Sequence, residues 1–281
     1  MIDFDDLPAL TDPVMIAAFE GWNDAGEAAS AAIAHLREVW SAEPLTELDS
    51  EEYYDYQVTR PLISLDAAGV RQLQWPTTRL YVARAPLFQR DVVLVQGVEP
   101  NMTWQQFSRE ILGLAAELNI SLFVTLAALL SDSPHSWPIP VTGSCTDPAL
   151  REELGMEPST YEGPTGIVGV LQEACERFGI PAVSLWAATP HYVSQAPSPK
   201  ATLALVRRVE DLLDMPVPLD ELVEEARAWE AGVNELAEDD EEVAEYVRQL
   251  EEARDTTELP EASGEAIAKE FERYLRRRGS A

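Results

Sequence analysis

A three-layer αβα sandwich with a mostly parallel central sheet, carrying a helical C-terminal extension, is the architecture expected of this chain. Three patterns point to it. Continuous apolar runs at 14–19, 91–96, 122–128 and 182–187 have the character of strands covered on both faces, as parallel strands are. Each run is followed downstream by an amphipathic stretch, giving four strand-to-helix steps in series. From about Pro218 the composition changes: Leu219 to Glu258 holds sixteen acidic residues against Arg227, Arg248 and Arg254. The expected division is a core over 1–217 and an acidic helical part over 218–281.

The first unit sets the pattern. Val14–Phe19 reads as a buried strand, Glu20–Gly26 as a tight polar turn, and the helix after it places Ala29, Ile33, Leu36 and Trp40 on one face. Asn23 or Asp24 is positioned to cap that helix, because a short side-chain oxygen can accept from its first free N–H groups. Glu51–Arg60 is alternating and aromatic-rich, which predicts a strand closed by Pro61, and Arg79–Ala83 predicts another. Leu65–Val70 between them has the make-up of a hairpin turn, so this section is expected to be antiparallel. Asp91–Gln96 leads through Gly97–Asn101 into a helix over Trp104–Leu118, where Thr103 and Gln106 have capping-box spacing.

Leu122–Ala128 predicts the next strand, and its proline-rich exit over 131–138 excludes a helix there. A long loop to about Pro164 is expected to carry Gly143–Asp147 and a short helix over Pro148–Gly155. A helix over Thr165–Phe178, a strand over Ala182–Ala187 and a helix over Lys200–Leu213 complete the core. In the acidic part, Leu222, Val223, Ala226, Trp229, Val233 and Leu236 recur at helical spacing, then Val243, Tyr246, Val247 and Leu250. That pattern is an αα-hairpin joined at Glu238–Asp240. A last amphipathic helix is expected over Glu265–Arg277.

Composition narrows the function. The 281 residues suffice for one α/β unit plus an appendage, at roughly 100–200 residues per domain. With 46% hydrophobic residues wholesale disorder is excluded, and a net charge of −30 argues against nucleic acid or an anionic membrane as partner. Cys145 and Cys175 form no metal-ligand spacing and no disulfide framework. The longest apolar run, Leu122–Leu130, is far short of the roughly 20 residues a span requires, and MIDFDDLPAL has no secretion pattern. The expectation is a cytoplasmic protein.

If the strands are parallel, their carboxyl-end loops gather Glu20, Trp22, Asn23, Asp24, Glu99, Asn101, Asp132, His135, His191 and Tyr192 along one edge, where open α/β sheets bind ligands. In an enzyme, Asp24 or Glu99 would be the general base, His135 or His191 the acid or anion stabiliser, and Trp22 or Tyr192 a stacking wall. In a scaffold, Asp24 and Asn101 cap helices, Glu99 faces solvent and the aromatics plug a groove. The two histidines with Asp132 lack the i, i+4 spacing of a helical metal pair, so no metal is expected. Gly163, Gly166 and Gly169 do not form a phosphate loop, having no Lys-Ser/Thr after them; they suit close packing of the helix against the sheet. Lys200 stands at a helix start, and no nucleophile elbow surrounds Ser144 or Cys145.

Several stretches together resemble the proteasome assembly chaperone 2 family: the opening strand with Gly21-Trp22-Asn23-Asp24-Ala25-Gly26, Arg60-Pro61, Trp75-Pro76, Gly97-Val98-Glu99-Pro100 before Trp104, and Ser133-Pro134-His135. The resemblance spans roughly Pro13 to Leu213, and the acidic tail looks like the extension of bacterial members. It implies a sandwich similar to nucleoside phosphorylases, self-assembly into a homo-oligomer, a trimer above all, and a scaffolding role toward proteasome subunits. No cofactor is expected. Archaeal relatives carry a C-terminal hydrophobic–Tyr–any-residue tail; this sequence departs from that, with Tyr274 inside a predicted helix and Arg277-Arg278-Gly279-Ser280-Ala281 at the end. Bacterial members have also been labelled ATP-grasp-like carboligases. That chemistry needs cations on the phosphates, and Lys200 and Lys269 are the only lysines, neither in a glycine-rich loop.

Overall fold

A computed structural model describes residues 7–84, 90–156 and 158–256. The helix expected over Glu265–Arg277 lies outside them. Val14–Glu20 (β1) runs through the centre of a seven-stranded sheet whose continuous apolar segments became its inner strands. In chain order the elements are α1 (Ala28–Val39), β2 (Glu43–Glu47), α2 (Ser50–Tyr53), β3 (Leu62–Leu65), β4 (Arg71–Gln74), β5 (Thr78–Ala83) and β6 (Val92–Val98). They continue with α3 (Trp104–Glu117), β7 (Leu122–Ser131), β8 (Val141–Cys145), α4 (Pro148–Leu154), α5 (Ile167–Phe178), β9 (Ala182–Pro190), α6 (Pro199–Leu213), α7 (Asp220–Asp239) and α8 (Glu241–Thr256).

The sheet order is β2-β5-β6-β1-β7-β9-β8. β6, β1, β7 and β9 pair in parallel, and β2, β5 and β8 add antiparallel edges. Alternation along each strand divides the core in two. Val14, Ile16 and Ala18 face α1 and α6, where Ile33, Leu36, Val206 and Val209 close the layer. Met15, Ala17 and Phe19 face α3 and α5, against Phe107, Ile111, Val168 and Leu171. Each fully buried Leu, Ile or Phe stabilises by roughly 1.5–3 kcal/mol relative to exposure, and both layers are filled with them. α7 extends the first layer, inserting Leu222 and Ala226. Leu236, expected on its inner face, points to solvent instead, and Ala237 is buried in its place.

Four expectations are corrected. Glu51–Arg60 is not a strand: Asp49 Oδ1 accepts from the Glu51 N–H at 3.0 Å and starts the helical turn α2. Its aromatics are anchors rather than alternating strand residues, Tyr53 packing edge-on against Phe107 and Tyr54 donating to the Val98 carbonyl at 2.8 Å. The turn at Asp66–Gly69 does form, but it joins β3 to β4 as a separate two-stranded sheet. Gly143–Cys145 is not loop but the antiparallel edge strand β8; an edge is covered less completely, so its sequence lacks the apolar run of a central strand. The capping box at Thr103 is absent as well. Thr103 adopts a left-handed φ of 53°, and its hydroxyl donates to the Glu52 carbonyl at 2.7 Å.

Candidate functional site

The turn after β1 is held by its own polar groups. Asp24 Oδ1 accepts from the N–H groups of Ala29 (2.7 Å) and Ser30 (3.3 Å), capping α1 across the intervening turn of 3-10 helix. Asn23 Nδ2 donates to Glu99 Oε1 at 3.0 Å, and the same oxygen accepts from the Ile167 N–H at 2.8 Å. Glu99 therefore does not face solvent. It sits at the N-terminus of α5, where the helix dipole favours a carboxylate, and ties the β1 and β6 exits to that helix. Gly166 makes this possible: a Cβ there would lie 1.9 Å from Asn23 Nδ2 and 2.6 Å from Glu99 Oε1. The close packing expected of the glycines is thus between loops rather than helix and sheet.

A second group forms under the acidic helices. His135, only 1% exposed, lies on the loop after β7. The Tyr192 hydroxyl accepts from the His135 N–H at 2.6 Å and pairs with Nδ1 at 2.7 Å; Nε2 meets Asn234 Oδ1 of α7 at 3.0 Å. This network assigns the proton to Nε2, with Tyr192 donating to Nδ1. Lys200 Nζ bridges the His135 carbonyl and Glu230 Oε2 of α7, both at 2.5 Å. Asp132 Oδ1 accepts from the Tyr246 hydroxyl of α8 at 3.0 Å and lies 3.3 Å from His191 Nδ1. The rings of His191, Tyr192 and Tyr246 pack edge-on at 5.3–5.9 Å. Burial pushes the Tyr192 phenol up to about 12.

The ten candidate residues thus separate. Asn23, Asp24 and Glu99 hold the β1 turn and the start of α5, while Asp132, His135, His191 and Tyr192 form the seat of α7 and α8. Among the described residues no hydrogen bond joins Asp24 or Glu99 to either histidine. Asn101 caps no helix; its Oδ1 accepts from the Asp55 N–H and the Thr59 hydroxyl. Glu20 is exposed at the rim, and Trp22 is 64% exposed. Among the described residues no group of three or more His, Cys, Asp or Glu could hold a metal ion, and no helix is long and apolar enough to cross a membrane. Both thiols are buried and their pKa values raised by desolvation, Cys175 to about 12, which disfavours the nucleophilic thiolate.

Sequence reasoning missed Asn234, Glu230 and, as a polar group, Tyr246. Tyr246 was legible only as one apolar position of a helix. It also missed a cleft of about 1120 Å³ between β8, α5 and the loop 158–165, lined by Trp22, Leu130, Tyr161 and Trp186 among others.

Burial also sets a pH dependence. Desolvation raises the pKa of Asp24, and its helix-capping hydrogen bonds oppose that only in part. Glu20, though it reaches solvent at the rim, is raised too, first by partial desolvation there and then by the neighbouring Asp24 charge. Each carboxyl binds its proton more tightly in the folded chain, so its contribution falls as pH rises from the unfolded value, near 4, through the raised folded one. Asp24→Asn keeps an accepting oxygen and removes the charge. Urea unfolding from pH 4.5 to 8 is therefore expected to show Asp24→Asn gaining on the native chain as pH rises, with Asp24→Ala, which removes the same charge, following in parallel about 1–2 kcal/mol below it for the lost cap. Parallel pH curves for Asp24→Asn and the native chain would contradict this.

Fold and site together define an α/β protein whose strand-end loops are cross-tied and covered by an acidic helical hairpin. The chain belongs to the PAC2 family, whose model matches residues 18–237. A PAC2 family protein from Streptomyces avermitilis is 59% identical, with a TM-score of 0.79 over 84% of this chain and 100% of that one. A Mycobacterium tuberculosis proteasome-assembly chaperone homologue is 53% identical, with a TM-score of 0.76 over 83% of this chain and 99% of that one. The fold extends to an archaeal proteasome activator from Pyrococcus furiosus at 18% identity, with a TM-score of 0.67 over 82% of this chain and 96% of that one. No curated protein matches the chain.

Proposed function

We propose that this protein is a non-catalytic assembly-chaperone-like scaffold that acts as a homo-oligomer, a trimer first of all, on proteasome subunits. Two things support the reading. One is kinship with a mycobacterial proteasome-assembly chaperone homologue at 53% identity. The observation that carries the non-catalytic part is the engagement of the rim residues. Asp24 caps α1, Glu99 holds Asn23 and Ile167, and His135 and Asp132 seat α7 and α8. The enzymatic alternative, with Asp24 or Glu99 as base and His135 or His191 as acid, needs these groups convergent and free, and they are apart and bonded.

α7 and α8 turn their apolar faces inward and present Glu221, Glu224, Glu225, Glu238, Glu241 and Glu245 to solvent. A basic partner surface fits that face. Capture of the untagged protein from its host, with mass spectrometry, tests the partner, and proteasome subunits are the expected catch. Their association should weaken steeply between low and physiological salt, because exposed charges more than about 8–10 Å apart are screened there. Capture that is indifferent to salt would remove the acidic face as the contact, and turnover of a nucleoside-like substrate by the purified protein would overturn the scaffold itself.

A further inference from the structure

We propose that the β3–β4 hairpin of one copy docks into the β8–α5 cleft of a second copy, a head-to-tail contact that builds the homo-oligomer. This rests on the self-assembly proposed above and names its interface. The hairpin register places Ile63 opposite Leu73 and Leu65 opposite Arg71, so Ile63, Leu65 and Leu73 share one face. These three are 58%, 67% and 51% exposed, and Leu62 on the opposite face is exposed as well. A two-stranded hairpin is marginal by itself in water and gains stability by packing its apolar face.

Charge complementarity and position indicate the occupant. Val58–Trp75 contains Arg60, Arg71 and Asp66 as its only charged residues, a net +1 on a chain of −30. Asp66 faces its own turn, accepting from the Ala68 and Val70 N–H groups and from Gln72. The cleft offers the counterpart. Trp22, Leu130 and Tyr161 are exposed large hydrophobic residues along its wall, and Glu173 and Glu176 outnumber Arg151 in its lining. Its volume of about 1120 Å³ exceeds the roughly 300–1,000 Å³ typical of small-molecule sites.

Within one copy the hairpin does not line the cleft. The base of the hairpin adjoins the β2 edge, sharing a second hollow with Thr46–Ser50, while the cleft runs from the β1 turn at Gly21–Gly26 to the β8 edge with no residue of 58–75 on its wall. A patch that fits a groove elsewhere on the same chain makes a heterologous interface, which closes into a ring or continues as a filament.

Sedimentation equilibrium tests this on the full chain. The native protein is expected at a multiple of 31.1 kDa. The Ile63→Asp/Leu65→Asp variant and the Leu130→Asp variant, altered at exposed positions and checked for native circular dichroism, are each expected as monomers. Mixed one to one, they should form a dimer and go no further, because each retains the half that the other lacks. Native mass in either variant, or no dimer on mixing, would overturn the hairpin–cleft contact while leaving self-assembly standing. A monomeric native chain would instead overturn the self-assembly on which the contact rests.

Discussion

Lys200→Ala is expected to loosen α7 and α8 from the core while leaving the sheet intact. The ammonium joins three elements, extending from the first turn of α6 to the His135 carbonyl and to Glu230 on α7. Lys200 is 13% exposed and Glu230 35%, so the pair is neither a free surface ion pair nor a dry one. Removal of one partner of a fully buried pair costs about 3–5 kcal/mol, and exposed pairs contribute about 0–1 kcal/mol. Because water can rehydrate Glu230, an intermediate loss of about 2 kcal/mol follows from deleting a charged hydrogen-bond donor. Amide exchange through local opening reads this directly. Protection over 220–256 should fall roughly 30-fold, at a factor of ten per 1.4 kcal/mol, with β1, β6 and β7 unchanged. Unaltered protection in α7 would mean that Lys200 does not anchor the acidic helices.

Gly166→Ala should be among the most destabilising single-methyl additions in the chain. Backbone strain is not the reason, since a φ of −97° is open to any residue. Space is. The new Cβ would meet Asn23 Nδ2 at 1.9 Å and Glu99 Oε1 at 2.6 Å, and both atoms are fixed by the hydrogen bonds they share. Relief requires breaking the Asn23–Glu99–Ile167 tie, leaving a buried N–H short of its acceptor at about 1–3 kcal/mol, on top of about 1–3 kcal/mol for overpacking. A loss of about 3 kcal/mol in urea unfolding is the expected result. Gly113→Ala is the internal contrast. It lies inside α3 with no atom within 4 Å of its would-be Cβ, and should stabilise by about 0.5–1 kcal/mol through helix propensity. Equal effects at the two positions would dismiss the clamp at Gly166.

Legibility varied along the chain. The opening βα unit was readable because its information is local: an unbroken apolar run can be covered only inside a parallel sheet, and Asp24 needs only the helix five residues on. Tyr53 and Tyr54 misled, since an aromatic-rich stretch suggests a strand until Phe107 and Val98 appear as their partners. β8 misled in the opposite direction, an edge strand being too polar to stand out. In the candidate site, the residue types were visible and their company was not. His135 and His191 looked like a possible reactive pair, yet their partners Asn234 and Tyr246 come from helices whose sequence advertises only acidity and an apolar stripe.

By itself, then, the sequence determined which segments are inner strands, which faces of α1 and α6 are buried, that an acidic helical pair follows, and that polar loops collect at one end of the sheet. Those properties depend on periodicity and composition over windows of ten to twenty residues, where each side chain answers mainly to its neighbours. The tertiary structure decided how the loops are used. It placed Glu99 against Ile167, Lys200 against Glu230 and Asp132 against Tyr246, pairs drawn from 30 to 114 positions apart. A polar side chain withdrawn from water must find a partner wherever the packed layers bring one, and that choice is made by the assembled fold rather than by the residues beside it.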